Sequence, residues 1–109
     1  MPRTPVPLTV VTRAGVAPPT ETNGDPTNNH VIGNNGKVLL LARNAGSSTA
    51  RTVTLRVRNT VDGQSVTPRT VSVPQSASRY IGPFPIDQYG TQLQIDVDNA
   101  ELKLTALTF

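Results

Sequence analysis

The stretch from Lys37 to Asn59, KVLLLARN then AGSSTA then RTVTLRVRN, constrains the fold more than any other part of this chain. Its second half alternates. Val53, Leu55 and Val57 fall on one side of an extended chain, and Thr52, Thr54, Arg56 and Arg58 fall on the other, the period of a strand with one buried face. The first half behaves differently, because Val38, Leu40 and Ala42 share one side while Leu39 and Leu41 occupy the opposite one. A strand that is apolar on both faces is either central and covered twice, or its outer face meets another segment or chain.

With 109 residues the chain makes one domain with a modest core, burying roughly two-thirds of its unfolded surface. There is no Trp and there are only two Tyr and two Phe, so Val, Leu, Ile and Ala must build that core. Abundant Thr and Val, with frequent Gly and Pro, favour short strands, and no window shows helical periodicity. The absence of Cys excludes both a disulfide framework and a thiolate metal site. The start MPRTPVPLTVV lacks the apolar run of a signal peptide, and nothing approaches the ~20 apolar residues of a membrane span. Cytoplasmic synthesis without a membrane partner is expected.

In chain order, residues 1–36 read as an extended Pro-rich N-terminal arm and loop. Pro2, Pro5 and Pro7 keep it from a central strand, and Leu8 to Arg13 is its one strand-like run. Such a start is tied down either on its own domain or on a neighbouring subunit. Asn34-Asn35-Gly36 offers positive φ just before the first core strand. Residues 37–109 form the β-sandwich domain. Val61-Asp62-Gly63-Gln64 is a hairpin signal, Val71 and Val73 point inward, and Gly82-Pro83-Phe84-Pro85 breaks the ladder, so the strand 78–81 lies at an edge or ends in a bulge. Leu93, Ile95 and Val97 point inward, and Asp98-Asn99 turns the chain so that 101–108 pairs back, with Leu102, Leu104 and Ala106 inward and Leu107 and Phe109 outward. The whole is predicted to be all-β, a single immunoglobulin-like antiparallel β-sandwich. Tyr89 in Asp87-Gln88-Tyr89 matches the tyrosine corner of that architecture, although its Cys and Trp are missing. The same order makes 51–58 and 92–98 neighbours, with Arg56 and Arg58 facing Asp96 and Asp98.

Net charge is +3, unevenly spread. Residues 37–79 carry seven positive groups against Asp62 alone, whereas 80–109 carry Lys103 against Asp87, Asp96, Asp98 and Glu101. Either basic and acidic strands lie side by side, or a basic surface awaits an acidic partner. No catalytic, cofactor or metal site is expected. His30 is the only histidine, and beside Asp25, Asn28 and Asn29 it reads as a loop residue among turn formers rather than a ligand. No nucleophile elbow accompanies it. Direct nucleic-acid binding is not expected from eight Arg that lack a recognition helix or stacking platform.

Thr12-Arg13-Ala14-Gly15, Asn28-Asn29-His30, Asn35-Gly36-Lys37 and the strand ending Arg43-Asn44 resemble a family of small proteins encoded in the head-gene region of tailed bacteriophages, mainly those of actinobacteria. Val71-Ser72-Val73-Pro74 and Ile81-Gly82-Pro83-Phe84-Pro85 extend the resemblance over most of the chain. It implies a non-enzymatic virion structural protein, most plausibly a capsid decoration protein. The major capsid protein or other virion proteins would then be the partners, with a homo-oligomer also open. Candidate docking residues are Pro5, Pro7 and Leu8 of the arm, the outward Leu39 and Leu41, and Leu107 and Phe109 at the end. The competing expectation is that the arm folds back over Leu39 and Leu41 within one chain. Two alternatives remain in view: a head–tail connector or tail component, and a carbohydrate- or cell-surface-binding sandwich that uses Tyr80, Phe84 and Tyr89.

Overall fold

A computed structural model describes residues 3–58 and 60–109; Met1, Pro2 and Asn59 lie outside the described residues, and with them the expectation for Pro2 and the end of the 37–59 stretch. The chain is all-β. The first third supplies β1 (Thr4–Pro5), β2 (Leu8–Val10), β3 (Thr22–Asn23) and β4 (His30–Gly33). The middle supplies β5 (Leu39–Asn44), β6 (Arg51–Leu55), β7 (Thr60–Val61), β8 (Gln64–Ser65) and β9 (Arg69–Val73). After β10 (Ser78–Ile81) comes a single helical turn, α1 (Ile86–Tyr89), and then β11 (Gln92–Val97) and β12 (Leu102–Thr108).

Two mixed sheets share one core. The first runs in the order β1-β4-β11-β6-β9, and the second runs β10-β5-β12-β2 with β3 also paired to β12. Inward positions of both meet in one apolar cluster: Ile32, Val53, Leu55, Leu93 and Ile95 from the first, and Leu40, Ala42, Leu104 and Ala106 from the second. These are the positions that period-two alternation assigns to the buried side, and each fully buried Leu or Ile contributes roughly 1.5–3 kcal/mol. The loop joining β5 to β6 crosses between the sheets. Asn44 fastens it, donating from Nδ2 to the Thr49 carbonyl at 2.9 Å and the Val73 carbonyl at 3.1 Å, while its Oδ1 accepts from the Gly46 N–H at 2.9 Å. Asp62 (φ 54°) and Gly63 (φ 74°) make the tight turn of the β7–β8 hairpin.

Three expectations need adjustment. The chain does not pair back after Asp98-Asn99, because β12 crosses to the second sheet and pairs with β5, β2 and β3 rather than with β11. The ladder is also not wholly antiparallel, since β1 runs parallel to β4 and β2 parallel to β12. Segment 3–36, set apart in the sequence as an arm and loop, enters the same core. Val6 is buried between β1 and β2, and the Val6 N–H bonds to the Val31 carbonyl at 3.0 Å. The prolines confine these strands to sheet edges, where the missing N–H does no harm.

At the opposite edge of the second sheet, β10 ends at Gly82. Its φ of 147° suits only glycine, and a Cβ there would lie 2.6 Å from the Val38 carbonyl oxygen. The cis Gly82-Pro83 bond follows and carries Phe84 into the core.

Candidate docking surfaces

The outward side of the second sheet is where the doubly apolar strand has its consequence. Register places Tyr80 of β10, Leu41 of β5 and Thr105 of β12 in one cross-strand row, with Leu39, Leu107 and Thr9 in the next. The loop after β2 runs past this surface and presents Val11, Val16 and Pro18. The loop, Leu41, Thr105 and Leu107 enclose an open groove of about 790 Å³, with Glu21 also in its lining and Tyr80, 70% exposed, at its rim. A sheet face directed only at water would carry polar residues at these positions. One row further along it does so: Arg43 and Lys103 lie side by side, and Glu21 forms a two-point ion pair with Arg43, both N–O distances being 2.8 Å. The hydrogen bond from Arg43 holds the Glu21 carboxyl below its ordinary range, against the opposing effect of burial.

The seven candidate docking residues therefore divide. Leu39, Leu41 and Leu107 come together on the outer face. Leu8 lies opposite Ala106 and packs against the core from the inward side. Pro5 and Pro7 are exposed where the chain passes from the first sheet to the second. Phe109, 78% exposed, stands one residue beyond β12, next to the strand end where the Val11 N–H bonds to the Thr108 carbonyl. The loop wall falls where the competing expectation folds the arm back, beside Leu41, and it leaves that residue half-buried. Val16 and Pro18 belong to a loop whose apolar character has no period, and only the opposition of Tyr80 to Arg79 pointed to that rim.

The predicted pairing of β6 with β11 is present, with Asp96 opposite Thr54. Asp96 receives Arg56 at 2.7 Å and also Arg3 at 2.6 Å, so the first strand is bound by charge to the middle of the first sheet. Burial raises the Asp96 carboxyl, but the hydrogen bonds from Arg3 and Arg56 outweigh it and leave it lowered. Among the described residues no ion pair joins Arg58 to Asp98. The register explains this: continued along the ladder, it sets Arg58 near Gln92 and Asp98 near Thr52, at opposite ends.

Tyr89 is buried edge-on against Phe84, with centroids 5.3 Å apart at 81°. Its hydroxyl makes no hydrogen bond among the described residues, so ring packing rather than a phenol bond holds this corner.

His30 is not a loop residue. It lies on β4, fully buried beside Ile32. Its Nε2 accepts the Asp25 N–H at 2.9 Å and its Nδ1 lies 3.2 Å from the Thr4 carbonyl. That arrangement suits a neutral ring with the proton on Nδ1, and burial lowers its pKa accordingly. Asp25 instead caps the neighbouring turn, accepting the Thr27 and Asn28 N–H groups at 3.1 Å. Among the described residues no group of three or more His, Cys, Asp or Glu is placed to hold a metal ion. No described helix is long and apolar enough to cross a membrane.

No family model, no curated protein and no solved structure matches the chain.

Proposed function

We propose that this protein is a non-enzymatic docking module, a structural component of a tailed-phage virion that binds the capsid shell through the outer face of its second sheet. In this proposal the two sheets form an immunoglobulin-like sandwich, supported by the β6–β11 pairing. The observation that carries the docking role is the apolar groove over Leu41 and Leu107, open to solvent on a fold whose other outer face is polar. The virion assignment draws on the resemblance of the 12–44 motifs and of 71–85. A shell-bound protein needs a rigid body and an apolar contact face, and this chain offers both.

The test is cosedimentation with capsids prepared without the protein. Shell-wide saturation that is lost with Leu41→Asp and Leu107→Asp, while both variants keep the native unfolding transition, supports the docking face. Occupancy limited to a single ring of copies assigns the protein to the neck or tail instead. Deleting the first twelve residues is a poor control, since it removes β1, β2 and Val6 from the fold.

No binding to capsids, with glycan binding sensitive to Tyr80→Ala, favours the carbohydrate reading. Geometry gives that alternative little, because of its three candidate rings Phe84 and Tyr89 are buried and Tyr80 alone is exposed.

A further inference from the structure

On the side of the molecule where β9 and β10 are the outermost strands, the seam between the two sheets is open. Arg69 lies opposite Leu55, so it is on the inward side of the first sheet. Arg79 lies opposite Ala42, so it is on the inward side of the second. Two guanidinium groups are thus directed from the two sheets into the same mouth, and both line a groove of about 450 Å³. A further groove of about 550 Å³ continues past Arg69 toward Val61 and Val66. No Asp or Glu lines either groove, and neither arginine has an ion pair among the described residues. Three other arginines of the basic middle segment fare differently: Arg43, Arg51 and Arg56 reach Glu21, Glu101 and Asp96. Like charges held at one mouth without a counter-ion repel one another and favour an anion between them.

The backbone at this edge is equally open. The Asn44 N–H bonds to the Ala77 carbonyl at 2.9 Å, which makes 77 and 44 a hydrogen-bonded pair of the antiparallel ladder. Pairs then alternate, so Arg79 and Ile81 direct their N–H and C=O groups at β5, while Ser78 and Tyr80 direct theirs outward. Consistent with this, the Ser78 carbonyl is covered only by the Arg79 guanidinium, at 2.8 Å. A strand laid along this edge would set alternate side chains toward the seam, where Arg79 and Arg69 lie, and toward the outer face, where Tyr80 lies.

We propose that the β10 edge is a second binding site, which takes an extended acidic peptide segment of a partner protein as an added strand, with its carboxylates at Arg69 and Arg79 and its apolar residues beside Tyr80. The site shares Tyr80, at the rim, with the groove over Leu41 but is otherwise lined by different residues, and it stands whether or not the partner is a capsid. Alternation of acidic and apolar residues is the recognition rule.

The probe is a short synthetic peptide alternating Glu and Val, titrated into the full chain and followed by amide NMR. Saturable shifts at Ser78 and Tyr80, weakened by salt and reduced about tenfold or more by the Arg69→Gln/Arg79→Gln pair, are expected; tenfold corresponds to about 1.4 kcal/mol. The same peptide N-methylated at alternate residues should not bind, because the pairing needs its N–H groups. Both arginines are exposed, so the double variant should unfold at or slightly above the parent midpoint. Equal binding of a Gln/Val peptide, indifference to the double variant, or shifts centred on Leu41 and Leu107 would overturn the proposal. Binding of a sulfated oligosaccharide with the same arginine dependence, and no binding of the peptide, would overturn the peptide assignment in favour of a glycan.

Discussion

The two sheets share one core but present opposite outer faces. The first shows water Thr52, Thr54, Thr70, Ser72 and Gln94, with Asp96 between Arg3 and Arg56; its apolar exceptions among the described residues, Val31 and Pro5, lie side by side. The second shows Leu39, Leu41 and Leu107 over two rows and keeps Arg43 and Lys103 in a third, with Glu21 reaching Arg43 from the edge of the groove. The inward residues of the two sheets are of one kind, so folding does not require this difference. An outer face that the core does not need, and that water does not favour, is what the proposed docking role rests on.

The largest expected effect tests whether the charges of the first sheet do structural work that those of the second do not. Asp96 is mostly buried and receives two guanidinium groups, so Asp96→Ala leaves both with a lost partner and should destabilise by about 2 kcal/mol in denaturant unfolding. Glu21→Ala removes an exposed pair and should cost less than about 1 kcal/mol. Equal losses would erase the distinction between the faces.

Acid should also separate the regions. His30 ties β1 to β4 in the first sheet, and its folded pKa is depressed below the unfolded value of 6.5. The groups facing it are Asp25 from the preceding turn and Arg3 from the first strand, the latter itself bonded to Asp96. A base with a depressed folded pKa takes up its proton more readily when unfolded. Its stabilisation is therefore present above pH 6.5 and is lost as pH falls below that toward the folded pKa. Protonation at Nε2 would put a donor against the Asp25 N–H. The unfolding midpoint should fall as pH is lowered from 7.5 toward 5, and His30→Gln should flatten that slope. The lowered carboxyls of Glu21, Asp25 and Asp96 add a further loss only below their ordinary range, near pH 4. A slope unchanged in His30→Gln would show that the ring does not control the first strand.

What the sequence made legible follows from what alternation encodes. It reports the face of each side chain, so the inward residues of β5, β6, β11 and β12 and the outward Leu39, Leu41 and Leu107 were readable. It does not report which strand lies alongside. The crossing of β12 to the second sheet rests on backbone bonds, such as the Ala45 N–H to the Glu101 carbonyl at 2.9 Å, that no residue pattern announces. Strands of two or three residues are too short to show a period, so 4–10 read as an arm. His30 was hidden by Asp25, Asn28 and Asn29, whose turn chemistry masked its alternation with Ile32. The groove was half legible: its floor has a period and its loop wall does not.

The smallest expected effect on stability settles the competing account of the groove. If the loop after β2 closed over Leu41 and Leu107 as part of the fold, each would be a core residue, and truncation would cost about 2–5 kcal/mol. Both are only half-buried, and the loop from Thr12 to Pro18 is exposed, with the Gly15 N–H to Thr12 carbonyl bond lying within the loop itself. Leu41→Thr and Leu107→Thr place a β-branched, strand-compatible side chain on an outer face. Each should shift stability by less than about 1 kcal/mol. Under the proposed docking role the same variants should weaken capsid binding, because they remove apolar area from the groove. A large stability loss would make the loop the natural occupant of the groove and would leave the second sheet, like the first, with a face that folding alone explains.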